Sequence, residues 1–331
     1  MSKNRNPHLF PGVPPPAPLP PPEDIPVEEV LRDYLEGKYD LLCVLGPTAS
    51  GKTRYAVSLA RKINSLVGRS CTHILSGDSR QVYRGMDIGT GKDLCEYGEI
   101  PYHLIDIRPA GSKYNIYEFR RDFSREWSAI RSSGDVPILC GGSGLYIEAV
   151  TLGYSLPEME PDYALRDSLE KKDMTALTEE LLRRRPNTAE GTLQSKRRVA
   201  RALEVAIQED SGKAPSRDDE NLVFPSSTYF IGTLVSRERR IERIDRRLRE
   251  RLDEGMIDEV KRLLDSGIAA EDLTYYGLEY KFVTQHILGI LSYDEMFTLL
   301  SNAIHQFAKR QMTWFRGMEK KGVRIHWTVP G

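Results

Sequence analysis

No stretch of this 331-residue chain runs for about 18 uncharged apolar residues, so no segment is suited to crossing a bilayer. Residues 1–6 are polar and pass straight into prolines, and without an apolar h-region a secretory signal is not expected. Cysteine is scarce. Cys43, Cys71, Cys95 and Cys140 form no C-x-x-C pair, which argues against both a zinc site and a disulfide framework and fits a reducing cytoplasm. Cys43 and Cys140 stand inside apolar runs and read as small buried hydrophobes. Net charge is nearly absent as well, at −1, which disfavours a protein whose only task is to coat nucleic acid. There is no internal repeat and no exposed heptad seam, so a monomer is expected.

Proline, by contrast, is concentrated. Residues 11–26 read PGVPPPAPLPPPEDIP, too proline-rich to build a core, and a disordered tail is expected over residues 1–37. It reads as a passive extension more readily than as a ligand for a polyproline-binding module.

Beyond the tail the pattern changes. Residues 39–45 (YDLLCVL) form a continuous apolar run of the kind buried on both faces of a sheet, and a helix with Tyr55, Leu59 and Ile63 at helical spacing follows. Further strands are predicted over 73–76, 136–140, 228–235 and 323–327, with a helix over 117–131. Strands alternating with helices through glycine-rich turns predict an α/β fold, a P-loop parallel-sheet core wrapped by helices. The core is assigned to 38–157 and 190–331. A small all-helical insertion at 158–189 is bracketed by Pro157, Pro161 and Pro186.

Between the first strand and its helix lie Gly46, Pro47, Thr48, Ala49, Ser50, Gly51, Lys52 and Thr53, a G-x-x-x-x-G-K-T motif in the context it requires. Its glycines let the backbone turn successive N–H groups toward phosphate oxygens, Lys52 adds a positive charge, and the Thr53 hydroxyl can join the shell of a Mg²⁺ ion. The motif does not say which phosphate compound it holds. Two more turns fall at the carboxyl ends of predicted strands, where ligands of such sheets bind: Asp78-Ser79-Arg80-Gln81 and Gly142-Ser143-Gly144. Asp78 has three readings here: a metal-holding acid of a nucleotide hydrolase, part of a substrate-reading loop, or a turn cap.

GPTASGKT (46–53), DSRQVYRGMDIGT (78–90), YHLID (102–106), GGSGLY (141–146), RRVARALEV (197–205), RRIERIDRRL (239–248) and AKRQMTWFR (308–316) occur in the order found in the tRNA dimethylallyltransferase family. The chain resembles that family from about residue 40 to 316. The resemblance implies a substrate, dimethylallyl diphosphate, held at the P-loop with Mg²⁺, and transfer of its prenyl group to N6 of the adenosine 3′ of the anticodon in tRNAs that read codons starting with U. It implies that Asp78 is the general base, that Arg243 stabilises the leaving diphosphate, and that Ser143, where the family carries threonine, helps place the base. It further implies contacts to the anticodon stem-loop from Ser79, Arg80, Gln81, Arg166, the segment Arg197, Arg198, Val199, Ala200 and Arg201, and from Lys309 and Arg310. Ser79, Gln81 and the glycine turn are expected to read the extruded adenine. On the helix carrying Arg243, the residues Ile241, Ile244, Leu248 and Leu252 are expected to form the buried stripe. Trp314 reads equally as a stacking residue or as core.

The chain departs from the family at residues 276–281 (YGLEYK), where the tyrosine of a Gly-Tyr-Lys/Arg stretch is displaced. The competing readings are prenyl transfer to a free adenine nucleotide, a P-loop kinase, and a catalytically silent RNA-binding protein.

Overall fold

The computed structural model describes residues 19–153, 159, 161–212 and 222–330. Its centre is a six-stranded, wholly parallel sheet. In chain order the strands of the protein are β1 (Leu41–Leu45), β2 (Thr72–Ser76), β3 (Tyr83–Arg84), β4 (Tyr102–His103), β5 (Arg108–Pro109), β6 (Val136–Gly141), β7 (Thr228–Thr233) and β8 (Ile325–Thr328). The large sheet runs β4-β2-β6-β1-β7-β8, and β3 with β5 forms a separate short pair that the sequence did not suggest.

The helices are α1 (Val27–Leu35), α2 (Lys52–Val67), α3 (Ile116–Ser132), α4 (Gly144–Thr151), α5 (Tyr163–Glu170), α6 (Met174–Arg184), α7 (Glu190–Leu193), α8 (Lys196–Asp210), α9 (Arg237–Asp253), α10 (Met256–Asp265), α11 (Ala270–Leu273), α12 (Leu278–Ile287) and α13 (Tyr293–Lys320). Local chemistry fixes several ends. Asn115 and Glu118 close a capping box on α3, Ser292 and Glu295 another on α13, and Gly68 ends α2 in the left-handed conformation that glycine adopts most readily.

Strand β1 is the central one, paired with β6 on one side and β7 on the other. Its alternate residues serve opposite faces: Leu41, Cys43 and Leu45 enter a core shared with α3, α4 and α9 to α13, whereas Leu42 and Val44 pack toward α1 and α2. A two-sided strand of this kind must be apolar throughout, which is why LLCVL reads as a continuous run.

The expectation for residues 1–37 is corrected in its second half. Residues 1–18 lie outside the described residues, but α1 packs Val30, Leu31 and Tyr34 against the α2 face of the sheet. The Glu23 N–H donates to the Trp327 carbonyl at 2.6 Å. Prolines masked the signal, because the apolar spacing of VEEVLRDYL begins one residue after Pro26, where a helix is well started. The insertion boundary is also displaced. Helix α8 contributes Val199, Ala200 and Leu203 to one small core with Leu169, Leu177 and Leu181, so the helical unit extends beyond residue 189 to include α8. Short polar helices bury too little by themselves, and the apolar face of α8 completes them.

Gly232 on β7 sits under Trp327 of β8, and a Cβ there would lie 2.3 Å from a ring carbon of the indole. Gly232→Ala is expected to cost about 1–3 kcal/mol by overpacking. Urea unfolding should show a lower midpoint with an unchanged slope.

Candidate functional site

The carboxyl ends of β1, β2, β6 and β7 gather at one edge of the sheet, and the expected turns follow them. In the P-loop, Ala49 (φ 61°) and Gly51 (φ 83°) take the left-handed conformation, which curls the backbone into a cradle. Gly46 has no room for a side chain, since a Cβ would lie 2.2 Å from Thr233 Oγ1. Ser50 turns inward. Its hydroxyl lies 2.6 Å from the Thr233 hydroxyl, which itself donates to the Leu45 carbonyl, and its N–H donates to the Pro47 carbonyl. Ser50 is therefore a brace of the loop and not a ligand-facing group, a correction to its expected place among the phosphate contacts.

Ala49, Gly51, Lys52 and Thr53 line a cavity of about 380 Å³, faced by Arg243, Arg246, Arg247 and Arg251 of α9. The arginines differ in what they already hold. Arg247 pairs with Asp93, and Arg251 lies 3.6 Å from Glu279. Among the described residues no carboxylate pairs with Arg243, and its Nη1 would stand 4.0 Å from a Cβ at Gly51. Arg240 does not line the cavity, so the geometry separates Arg243 from its neighbour where the sequence did not. On the same helix Ile244, Leu248 and Leu252 are buried as expected, but Ile241 is 38% exposed.

Burial lowers the pKa of Lys52, against the pull of Cys140 and Asp78, and pushes the Cys140 thiol up to about 12, against Lys52 and a hydrogen bond with Thr53. Burial likewise lowers Arg251 and raises Glu279. The cavity wall also carries Asp93, Glu96, Glu250 and Glu254, but Lys52 and Arg54 with the four arginines of α9 outnumber these acids, a balance that favours an anion.

Beside the cradle the two other turns touch. The Ser79 N–H donates to Ser143 Oγ at 3.4 Å, and the Arg80 N–H donates to Asp78 Oδ1 at 2.9 Å. Asp78 is half-buried and close enough for Lys52 to sense its charge. The turn-cap reading of Asp78 is correct for one oxygen, and among the described residues nothing donates to the other. Arg80 lies over the Tyr275 ring at 4.9 Å. Gln81 is buried, with its carboxamide oxygen accepting from the Ser76 hydroxyl and its nitrogen donating to the Gly91 carbonyl. It is committed inside the fold, so the expectation that it reads a base is corrected.

The other sequence-predicted contacts divide in the same way. Arg197 and Arg198 are exposed on α8, and Lys309 and Arg310 are exposed on α13. Val199 and Ala200 belong to the insertion core and are buried. Arg166 and Arg201 both reach Glu204, a fully buried carboxylate, at 2.9 Å and 2.8 Å. Trp314 is 37% exposed with its indole packed over Gly144, while Phe315 is core. In the departing segment Tyr276 donates to the Ser112 carbonyl and Tyr280 to Glu259, both buried and structural.

Two residues of the site's frame were not singled out from sequence. Glu259 accepts the N–H groups of Asp87, Ile88 and Gly89, holding the loop that follows β3. Gln311 bridges the P-loop to the glycine turn. A signal for Gln311 existed: Ile304, Ala308, Phe315 and Met318 are a buried stripe on α13, and a glutamine interrupts it.

A P-loop at the carboxyl edge of a parallel sheet, faced by an arginine-bearing helix and with a second, polar turn alongside, places the chain among the P-loop α/β proteins. The profile of the family described as IPP transferase matches residues 81–318, and the chain belongs to that family. It is 52% identical over 291 residues to tRNA dimethylallyltransferase 1 of Porphyromonas gingivalis, covering 87% of this chain and 93% of that protein. Against tRNA dimethylallyltransferase 1 of Geotalea daltonii the identity is 47%, over 87% of this chain and 90% of that protein. The structure of tRNA isopentenylpyrophosphate transferase from Bacillus halodurans aligns with TM-score 0.60 at 32% identity, covering 88% of this chain and 89% of the other. A eukaryotic dimethylallyltransferase acting on tRNA shares the fold, with TM-score 0.67 at 22% identity over 87% of this chain and 74% of that one.

Proposed function

We propose that the protein transfers the dimethylallyl group of dimethylallyl diphosphate to N6 of the adenosine 3′ of the anticodon, in tRNAs reading codons that start with U. The observation that carries this reading is the contact between the Asp78 and Ser143 turns beside a P-loop cavity of about 380 Å³ rich in arginine. An adenine amine is a weak nucleophile, because its lone pair is delocalised into the ring. Asp78 takes a proton from N6 as the new N–C bond forms, and the C–O bond to the diphosphate breaks with its electrons going to the leaving oxygen. Lys52, Arg243 and the N–H groups of the cradle receive that growing charge. The base must leave its stack to reach Asp78, a cost of about a few kcal/mol that is lowest in a loop.

The donor set suits Mg²⁺, which is usually held by few protein oxygens plus substrate phosphates, because Thr53 lines the cavity beside the cradle. The Thr53 hydroxyl and the diphosphate would hold it, and it would neutralise charge on the leaving group.

Exposed Arg197, Arg198, Lys309 and Arg310 suit phosphates of an RNA stem and favour tRNA over a free nucleotide. Among the described residues no helix is long and apolar enough to cross a membrane. The test is incubation with dimethylallyl diphosphate, Mg²⁺ and unmodified tRNA, followed by digestion and mass analysis for prenyl-adenosine. Parallel reactions carry AMP or ATP. Product from tRNA alone is expected, and product from nucleotide alone would sink the tRNA reading.

A further inference from the structure

We propose that Gln311 is a positioning residue that sets the diphosphate cradle against the acceptor turn, so that leaving group, reacting carbon and base stay in line. The proposal rests on the functional reading given above. Gln311 is 7% exposed and lies on α13, far in sequence from both turns it joins. Its Oε1 accepts the Thr48 N–H at 2.8 Å, and its Nε2 donates to the Gly142 carbonyl at 2.9 Å. One carboxamide therefore satisfies a donor of the P-loop and an acceptor of the glycine turn together. An amide presents both functions on one rigid plane without needing to change its protonation state.

The two turns leave paired strands, with Leu45 of β1 opposite Gly141 of β6, and Gln311 carries that spacing on past the last paired residues. A Cβ at Gly142 would lie 2.5 Å from the Gln311 nitrogen and 3.1 Å from the Gly46 carbonyl, so the turns pass back to back with the carboxamide wedged beside them. One helical turn further along α13, Trp314 covers Gly144 so closely that a Cβ there would lie 2.2 Å from its ring. Helix α13 thus grips the 142–144 turn at two points, three residues apart on one face. Ser143, between them, accepts the Ser79 N–H and so carries the register on to Asp78. Gln311 acts through these groups without touching a substrate. Misplacing reacting groups by about 1 Å can cost roughly 10²-fold in rate, so a spacer of this kind is felt in the chemical step.

Two variants test the role. Gln311→Met keeps length and volume but neither hydrogen bond. Its kcat is expected to fall about 10- to 100-fold, with the Kd for tRNA within about twofold of wild type and the KM for dimethylallyl diphosphate changed far less than kcat. Gln311→Glu keeps an acceptor for Thr48 but faces the Gly142 carbonyl with a second acceptor. Protonation of that carboxyl restores a donor, so its activity relative to wild type should rise as the pH is lowered. Gln311→Met with wild-type kcat, or with kcat and tRNA affinity falling in parallel, would overturn the positioning role. A flat pH ratio for Gln311→Glu would do the same. If the wild-type protein forms no prenyl-adenosine, the functional reading fails and the role falls with it; an active wild type beside an equally active variant removes the role alone.

Discussion

Asp78→Asn should lower the rate of prenyl transfer by about 10²–10⁴-fold while leaving tRNA affinity unchanged. Asparagine is the informative substitution because Asp78 does two things. Its Oδ1 accepts the Arg80 N–H at 2.9 Å and holds the turn, while its own N–H donates to the Ser76 hydroxyl. Asn retains an oxygen for Arg80, so the turn, its contact with Ser143 and the surface offered to RNA persist. What Asn cannot do is accept a proton from N6. Alanine would remove the cap as well and mix a distorted turn with a lost base. Single-turnover rates with saturating dimethylallyl diphosphate isolate the chemical step, and filter binding measures the RNA. A variant that turns over at the wild-type rate would remove Asp78 as the base, and one that loses tRNA binding to the same degree would make it a recognition residue instead.

The parts of this site that were legible in the sequence are those whose chemistry is local. A buried strand followed by G-x-x-x-x-G-K-T specifies a cradle because strand, turn and helix are contiguous, and the structure has all three in place. Five of the six strands of the sheet were legible for a similar reason, LLCVL and VPILCG being apolar runs that end in glycine turns, whereas the two-residue edge strand Tyr102–His103 is too short and polar to give a pattern. What could not be read is which way a polar side chain faces when its partner lies far along the chain. Gln81 sits in the motif beside Asp78, yet Ser76 and Gly91 consume its carboxamide. Ser50 sits in the cradle, yet Thr233, more than 180 residues away, takes its hydroxyl. The resemblance singled out Arg243 on a helix crowded with arginines, and the geometry supplies the physical reason, since Arg247 and Arg251 already have acidic neighbours. Helix α1 was obscured by composition, because the density of prolines before it outweighed the spacing of Val30, Leu31 and Tyr34. Helix α8 was assigned to the core by sequence order, though its apolar face belongs to the insertion.

Glu259→Ala is expected to destabilise the fold by about 3–5 kcal/mol, far more than an ordinary surface substitution. The side chain is only 2% exposed, and its two oxygens accept from the N–H groups of Asp87 at 2.8 Å, Ile88 at 2.8 Å and Gly89 at 3.0 Å, and from the Tyr280 hydroxyl at 2.7 Å. Removing it strands three backbone donors and a phenol, and each unsatisfied buried donor costs about 1–3 kcal/mol before the structure relaxes. The loop cannot relax freely. Gly89 has Tyr280 against it, Lys92 is buried with contacts to Asp87 and Asp106, and Gly91 has no space for a side chain beside Arg251. Glu259→Gln should cost less but remain clearly destabilising, because its NH₂ would face donors that need an acceptor. Urea unfolding measures both, and a loss below about 1 kcal/mol for the alanine variant would mean that water or a rearranged loop replaces the carboxylate. The same loop leads to Asp93, which pairs with Arg247 at the mouth of the cationic cavity. A loosened loop frees that pair. Transfer by the variants, assayed below their unfolding temperature, should therefore show a raised KM for dimethylallyl diphosphate with tRNA affinity held, the opposite split from the one expected at Asp78.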